Sequence, residues 1–237
     1  MKNAYLQCLA LFGVGGAHPG GLSLTQKLLL KENLDRSSKV LDVGCGTGQT
    51  SAFISQKYQC HVTALDSSNL MLEKAKTRFL SLGLPVDIKH GYAESLPFHK
   101  GTFDLILSES VTAFTDMAKT VSEYKRVLKP GGVLLAIEMV QDGSMTEGQK
   151  KEILNFYGIT QLQGEEQWCE LFNEAGFSQI EVEKVRLHSS EFPEQYTNDY
   201  SLSNHIAPSF YKIFEQHHYY SMIYKNKLGC RVFRCTS

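Results

Sequence analysis

The most informative short stretch of the chain is LDVGCGTGQTS, residues 41–51, in which glycines recur at every second position after an apolar run. The glycines are Gly44, Gly46 and Gly48. A predicted helix begins near Thr47, so its free amides and positive end would face a polar or anionic ligand. Asp66, 22 residues after Gly44, ends the next apolar run. That is the spacing of a carboxylate that accepts both ribose hydroxyls of a nucleotide.

Two details refine this pattern. The order is GxGxG rather than the dinucleotide fingerprint GxGxxG, because Gln49 stands where that fingerprint has its last glycine. Asp42 comes just before the glycines and provides a second carboxylate at the same edge of the predicted sheet. The pattern therefore predicts a nucleotide-like ligand, and it disfavours a nicotinamide dinucleotide.

The elements that must position these residues follow from the hydrophobic pattern. Strands are predicted at 39–43, 60–66, 86–91, 102–110 and 131–140. Helical patterns lie between them, at 69–80 and at 116–128, the second ended by the turn sequence KPGG. Strands that alternate with helices are typical of βαβ units and of a doubly wound parallel sheet. Further helices are predicted at 164–177 and 205–227, and further strands at 179–187 and 229–237.

Five motifs in this order, LDVGCGTGQTS, ALDSS, GYAESLPF, GTFDLILSES and LKPGG, resemble the class I S-adenosylmethionine-dependent methyltransferases. The resemblance covers roughly residues 38 to 140 and is closest to the small-molecule branch, which includes quinone-ring and metalloid methyltransferases. It implies an α/β fold in one domain: a doubly wound, mostly parallel, seven-stranded Rossmann-like sheet with helices on both faces. It also implies S-adenosylmethionine as the cofactor.

The resemblance assigns roles to matching positions. Asp42 and the backbone of Gly44, Cys45 and Gly46 would hold the methionine end of the cofactor. Asp66 would bind the ribose, with Ser67 and Met71 near the adenine and the Ala93 backbone at the adenine edge. Ser108 and Glu109 would lie under the methionyl group. Tyr92 stands where the family often has an acidic residue facing the adenine, and Glu94 either binds the cofactor or bonds local backbone. Asp104 is predicted to bond local backbone only.

The expected chemistry is in-line transfer of a methyl group to a small acceptor, which needs alignment and exclusion of water. An acceptor that carries an ionisable proton also needs a base. The candidates are His18, Glu109 and His205, of which the first two are preferred. No metal site is predicted, because the chain has no CxxC pair and the adjacent His217 and His218 point about 100° apart on a helix.

An aromatic-rich stretch, residues 196–224, is predicted to cover the acceptor. His205, Phe210, Tyr211 and Phe214 are the predicted acceptor-binding residues, which indicates an apolar or aromatic acceptor. The alternative is that these rings pack the segment onto the sheet. The segments 141–163 and 188–228 are accordingly predicted to be acceptor-side insertions, outside a cofactor-binding core at 38–140.

A second glycine-rich stretch, GVGGAHPGG, precedes the first strand and matches no phosphate-binding spacing. Residues 1–37 are predicted to form an N-terminal lid and a helix. In this prediction residues 15–21 cover the methionyl end and His18 points inward. The helix is expected at 23–30 with Ser23 as its N-cap.

Composition limits the possible partners. The 237 residues carry 24 Lys and Arg against 25 Asp and Glu, so neither nucleic acid nor an anionic membrane is an expected partner. Six scattered cysteines favour free thiols in a reducing, cytoplasmic setting. A monomer or homodimer is expected. Two alternatives stay open at this point: a non-catalytic S-adenosylmethionine-binding module that acts through partners, and a metalloid methyltransferase with cysteine ligands.

Overall fold

The structure is a computed structural model that describes residues 3–185 and 199–237. Its helices, in chain order, are α1 (Ala4–Phe12), α2 (Gly21–Leu29), α3 (Gln49–Tyr58), α4 (Asn69–Leu82), α5 (Met117–Val127), α6 (Glu147–Tyr157), α7 (Glu165–Glu174) and α8 (Pro208–Ile223), with a 3-10 helix at Thr112–Phe114. Its strands are β1 (Val14–Gly15), β2 (Lys39–Val43), β3 (His61–Asp66), β4 (Asp87–His90), β5 (Phe103–Glu109), β6 (Leu128–Gln141), β7 (Gln179–Lys184), β8 (Asp199–Tyr200) and β9 (Leu228–Thr236).

A seven-stranded sheet in the order β4-β3-β2-β5-β6-β9-β7 forms the centre of the molecule. The pairs from β4 to β6 are parallel, and β9 runs antiparallel to both β6 and β7. The predicted mostly parallel, seven-stranded sheet is therefore confirmed. The chain order reverses between β2 and β5, and this switch point is where open α/β sheets bind their ligands.

Helices cover both faces of the sheet, also as predicted. Each face of the sheet has its own hydrophobic core. Alternate residues of β5 contribute to different cores, because successive side chains of a strand point to opposite faces. Leu105 and Leu107 pack with α2 and α3, whereas Ile106 packs with α5, α6 and α7. The largest fully buried side chain is Trp168 of α7, which lies against Phe233 of β9.

The N-terminal region differs in detail from the prediction. It contains a helix, α1, that is capped by the Asn3 side chain and was not predicted. Helix α2 begins at Gly21, and its N-cap is Gly20 with φ 84°. The prediction of Ser23 as N-cap was wrong, because Gly20 adopts a left-handed conformation that other residues avoid and turns the chain into the helix earlier. Ser23 is buried in the first turn.

The C-terminal elements are close to their predicted places. Helix α8 begins at Pro208, which suits a first helical turn because proline has no amide hydrogen to satisfy. Residues 186–198, with part of the predicted insertion at 188–228 and Tyr196, lie outside the described residues. No helix in the described part of the chain is long and apolar enough to cross a membrane.

Candidate active site

A cleft of about 420 Å³ opens at the carboxyl ends of β2, β3 and β5. Its walls come from the loop after β2, the ends of β3 and β5, the loop after β4, helix α1 and the segment between α1 and α2. The cleft therefore lies at the switch point of the sheet. It gathers most of the residues predicted to bind a cofactor.

The glycine loop is fastened to the neighbouring strand by its backbone. The amides of Gly44 and Cys45 both donate to the carbonyl of Leu65, at 2.7 and 3.0 Å. Gly44, Gly46 and Gly48 all have positive φ, between 54° and 76°, a conformation that L side chains rarely adopt. A Cβ on Gly46 would have no heavy atom within 4 Å. This loop thus leaves open space beside its backbone where a ligand can approach.

Asp66 stands at the tip of β3 beside that open space. It accepts hydrogen bonds from the amide of Gly46 at 2.9 Å and from the amide of Ser68 at 2.8 Å. Burial raises the pKa of this carboxyl, and the backbone donors partly offset the rise. Each oxygen keeps a lone pair for a further donor. Ser67, Met71, Tyr92 and Ala93 line the same cleft.

Two further carboxyl groups line the cleft, Asp42 of β2 and Glu109 of β5, and we call this part its acidic end. Asp42 is almost completely buried and accepts a hydrogen bond from Ser51 Oγ at 2.5 Å. Burial raises the pKa of Asp42 to about 7, and the charge of nearby Glu109 adds to the rise. Glu109 accepts hydrogen bonds from the hydroxyls of Thr50, at 2.8 Å, and Thr25. These two threonines were missed from the sequence, because Thr25 lies in no motif and Thr50, although inside the glycine motif, has no spacing that links it to Glu109, 59 residues later.

His18 meets this acidic end from the segment between α1 and α2. Its Nε2 lies 3.5 Å from Glu109 Oε2 and 3.4 Å from Thr25 Oγ1, and its Nδ1 lies 3.3 Å from the carbonyl of Pro19. The ring therefore faces oxygen atoms on both nitrogens and is largely buried. The two predicted catalytic side chains thus lie next to each other, and their catalytic role stays a prediction.

Ser108 lies away from the cleft, although the resemblance placed it under the methionyl group. It projects from β5 on the opposite face to Glu109, since adjacent residues of a strand alternate. Its Oγ is 3.1 Å from both Thr112 Oγ1 and the Tyr124 hydroxyl, and the side chain is fully buried. In this position Ser108 belongs to a polar network beneath the sheet edge.

The same network contains Glu138, a buried carboxyl that the sequence analysis missed. Its Oε1 accepts from the amide of Thr112 at 3.0 Å, which anchors the 3-10 helix Thr112–Phe114. Its Oε2 has no hydrogen-bond partner among the described residues. Burial raises the pKa of Glu138 to about 7, and hydrogen bonds from Thr112 and its neighbours oppose the rise. Glu138 thus supports the cleft wall from behind.

Glu94 and Asp104 have different positions. Glu94 lines the cleft, and its Oε1 also accepts from the amide of Asp116 at 3.3 Å. Asp104 accepts from the amide of Lys39 at 2.8 Å and pairs with Lys129 Nζ at 2.7 Å. The prediction of a bond to local backbone was wrong for Asp104, because its backbone partner Lys39 is 65 residues away and the bond joins β2 to β5.

The predicted acceptor-binding residues lie on the far side of α1. Phe12 of α1 stacks on Phe214 at 5.2 Å and meets the edge of Tyr211 at 5.0 Å. Phe210 packs in the same small core, and His205 borders a separate surface depression. Among the described residues, none of the four predicted side chains lines the cleft, because α1 stands in between. Their role in acceptor binding stays a prediction.

An apolar wall on the near side of α1 faces the cleft instead. It consists of Leu6, Leu9, Val14, Val111 and Phe114. Tyr5 stacks on the back of Phe114 at 6.2 Å and meets the edge of Tyr157 at 4.9 Å. The wall is therefore supported by packed aromatic rings.

Fold and cleft together define the class of protein. The chain belongs to the class I S-adenosylmethionine-dependent methyltransferases, and the methyltransferase domain family matches residues 40–132. It is 38% identical over 229 residues to an uncharacterized methyltransferase of Bacillus subtilis, YodH, and the match covers 97% of both chains. The enzyme therefore uses S-adenosylmethionine, as the resemblance implied.

Solved structures agree with this assignment at the level of the fold. Phosphoethanolamine N-methyltransferase 2 of Haemonchus contortus, in complex with S-adenosylmethionine, superposes with a TM-score of 0.79 at 21% identity, covering 99% of this chain and 56% of that chain. A sarcosine dimethylglycine methyltransferase described as putative, from Galdieria sulphuraria, gives a TM-score of 0.73 at 19% identity, covering 90% and 83%.

Proposed function

We propose that this methyltransferase acts on a small molecule with an apolar body. The observation that supports the proposal is the wall of Leu6, Leu9, Val14, Val111 and Phe114, which shares one cleft with Asp66 and Glu109. An apolar acceptor packed on this wall would be desolvated next to the acidic end. Ligand sites of this kind typically combine apolar lining with a few polar groups.

Different residues would bind the different parts of the cofactor and the acceptor. The glycine loop and Asp66 would hold the nucleoside part of the cofactor, and Asp42 would lie near its methionine part. S-adenosylmethionine supplies, when bound, a methyl group on a sulfonium that a nucleophile can displace. The apolar wall would orient the acceptor and exclude water, which are the main requirements of such a transfer.

Proton handling falls to Glu109 in this proposal. Its carboxylate is fixed by the hydroxyls of Thr25 and Thr50, and His18 lies beside it. A carboxylate aimed in this way can take the proton of an amine or hydroxyl acceptor directly or through His18. Glu109→Gln should lower kcat about 100-fold, the size expected for a lost base. Thr50→Ser keeps the hydroxyl and should stay near wild type. If Glu109→Gln kept full kcat, Glu109 would not be the base.

The alternative with a metalloid acceptor gains no support. All six cysteines are free and fall within the described residues, and of these Cys45 alone lines the cleft. The described residues also contain no group of three His, Cys, Asp or Glu side chains able to hold a metal ion. The free thiols fit the reducing, cytoplasmic setting that we propose for the enzyme, with a free small molecule as its acceptor.

The decisive experiment is a panel of acceptors assayed by formation of S-adenosylhomocysteine. The panel compares phenols, amines and phosphate monoesters that carry the same apolar body, with the unsubstituted small analogues as controls. Acceptors with the apolar body should be preferred. Phe114→Ala should then raise KM for the best acceptor about tenfold, whereas Tyr211→Ala, behind α1, should not. The reverse result would place the acceptor at the aromatic helix, and equal turnover of all acceptors would contradict the proposal.

A further inference from the structure

The segment that brings His18 to the cleft is held by a distant part of the chain. We call residues 13–18 the strap and residues 199–203 the docking segment. The two pair as the short antiparallel ladder of β1 with β8, in which Gly15 lies opposite Asp199. The amide of Ser201 adds a hydrogen bond to the carbonyl of Gly13 at 2.9 Å. The docking segment therefore helps to hold the strap in place, together with the contacts of His18.

Arg78 of α4 joins the docking segment to the glycine loop. Its Nε donates to the carbonyl of Thr47 at 2.8 Å, and its Nη2 forms an ion pair with Asp199. One guanidinium thus contacts the glycine loop and the docking segment at once through two of its nitrogens, which a planar fork of donors suits better than the single nitrogen of an ammonium. Lys74, one helical turn earlier, donates to the carbonyl of Ser201.

The strap also packs directly on the glycine loop. A Cβ on Gly15 would lie 3.1 Å from Thr47 Oγ1 and 3.3 Å from the carbonyl oxygen of Asp199. Thr47 is buried beneath the strap. Strap, glycine loop and docking segment therefore meet around one side chain, that of Arg78, and the strap forms a wall of the cleft through Val14, Gly16, Ala17 and His18.

The ion pair is placed so that it can break. The side chains of Arg78 and Asp199 remain 23% and 36% exposed, so water can solvate both charges when they separate. The glycines of the strap tolerate a wide range of backbone conformations. By contrast, the pairing of β2 with β3 lies inside the seven-stranded sheet, so it cannot come apart without disrupting the sheet.

We propose that Arg78 is a positioning residue that latches the strap to the glycine loop, and that loss of its contact with Asp199 opens the cleft for exchange of cofactor and product. Arg78 and Asp199 are absent from the described lining of the cleft and act through Thr47 and the strap. The latch concerns cofactor exchange, so it does not depend on which acceptor the enzyme methylates.

Asp199→Asn is the central test, because it removes the ion pair and leaves Arg78 on Thr47. Glu183→Gln is the matched control, since Glu183 pairs with Lys31 at 2.7 Å in an exposed position and is not among the lining residues. Two quantities are measured: hydrogen exchange of the amides of residues 13–18 in the cofactor-free protein, and the dissociation rate of S-adenosylhomocysteine from the immobilised protein. Arg78→Lys keeps the charge without the fork and serves as the second variant.

Asp199→Asn should speed exchange in the strap at least threefold and product dissociation about three- to tenfold, and Arg78→Lys should have a smaller effect of the same sign. High salt should speed dissociation of S-adenosylhomocysteine from the wild type, because salt screens the ion pair between Arg78 and Asp199. It should speed dissociation from Asp199→Asn less, because that variant lacks the pair. Unchanged strap exchange and dissociation in both variants would overturn the proposal. So would faster exchange throughout the sheet, which would mean that the pair only stabilises the fold.

Discussion

The amide of Gly46 donates a hydrogen bond to the carboxylate of Asp66 over 2.9 Å, and this bond joins the loop after β2 to the tip of β3. The sequence separates the two residues by 20 positions, but the parallel pairing of β2 with β3 brings both strand ends to one edge. The open space beside Gly46 and the remaining lone pairs of Asp66 therefore belong to the same cleft.

This arrangement predicts the effect of Asp66→Asn on cofactor affinity. Asparagine can still accept from Gly46, but it lacks the charge that strengthens bonds to hydroxyl donors. Bonds to charged groups contribute about 1.5–3 kcal/mol, so the Kd for S-adenosylmethionine should rise about 10- to 100-fold in calorimetry. Asp104→Asn, at the opposite end of the sheet, should change the Kd less than twofold. Equal affinity of Asp66→Asn and wild type would remove Asp66 from the cofactor site.

Gly44→Ala tests whether the glycine loop is limited by space or only by backbone conformation. Gly44 has φ 69°, and a Cβ there would overlap Val111 Cγ2. Gly101 has nearly the same φ, 67°, with no heavy atom within 4 Å of its Cβ. Gly101→Ala should therefore cost about 1 kcal/mol of unfolding free energy from conformation alone. Gly44→Ala should cost at least about 1 kcal/mol more and weaken cofactor binding, as measured by urea denaturation and calorimetry. Equal costs would show that Val111 moves aside freely.

Glu138→Gln should change how stability depends on pH. The pKa of Glu138 is raised from 4.5 to about 7, mainly by burial, so the native state binds more protons than the unfolded state between these values. Stability from this group is therefore present below about pH 4.5 and is lost as pH rises through 7. The variant cannot titrate at this position. Relative to wild type, the free energy of unfolding of the variant should therefore rise by on the order of 1–3 kcal/mol between pH 5 and pH 8.

Urea denaturation at pH 5, 6, 7 and 8 measures this difference. Asp42, whose pKa is also raised to about 7, contributes with the same sign in both proteins and cancels from the comparison. Glu183→Gln, at an exposed position, should give a curve parallel to wild type. If Glu138→Gln were parallel as well, the carboxyl of Glu138 would not be titrating in this range.

Ser108→Ala separates support of the fold from contact with the cofactor. Its hydroxyl bonds Thr112 and Tyr124, each at 3.1 Å, so its loss should destabilise the protein by about 1 kcal/mol. The Kd for S-adenosylmethionine should stay within twofold of wild type. A large loss of affinity with unchanged stability would restore the cofactor role that the family resemblance implied.

The glycine-loop side of the cleft could be predicted from the sequence because its residues lie at or next to strand ends. Asp42 and Asp66 lie near the carboxyl ends of β2 and β3, and the glycines at 44 to 48 follow β2. The hydrophobic pattern reveals both strands, and parallel strands bring such ends together. The acceptor side could not be predicted in the same way. Helix α1 carries Leu6 and Leu9 into the cleft, but nothing in its own pattern indicates which distant surface it covers.

The sequence by itself thus determined the class of enzyme, the alternation of strands and helices, and the edge of the sheet at which the cleft opens. Those properties depend on hydrophobic period and on residues close to the strands that position them. Only the tertiary structure decided that Thr25 and Thr50 fix Glu109, that Ser108 faces away from it, and that Arg78 meets both Thr47 and Asp199. Such contacts join residues far apart in the chain, and they exist only when the packing of helices on the sheet brings side chains of different elements together.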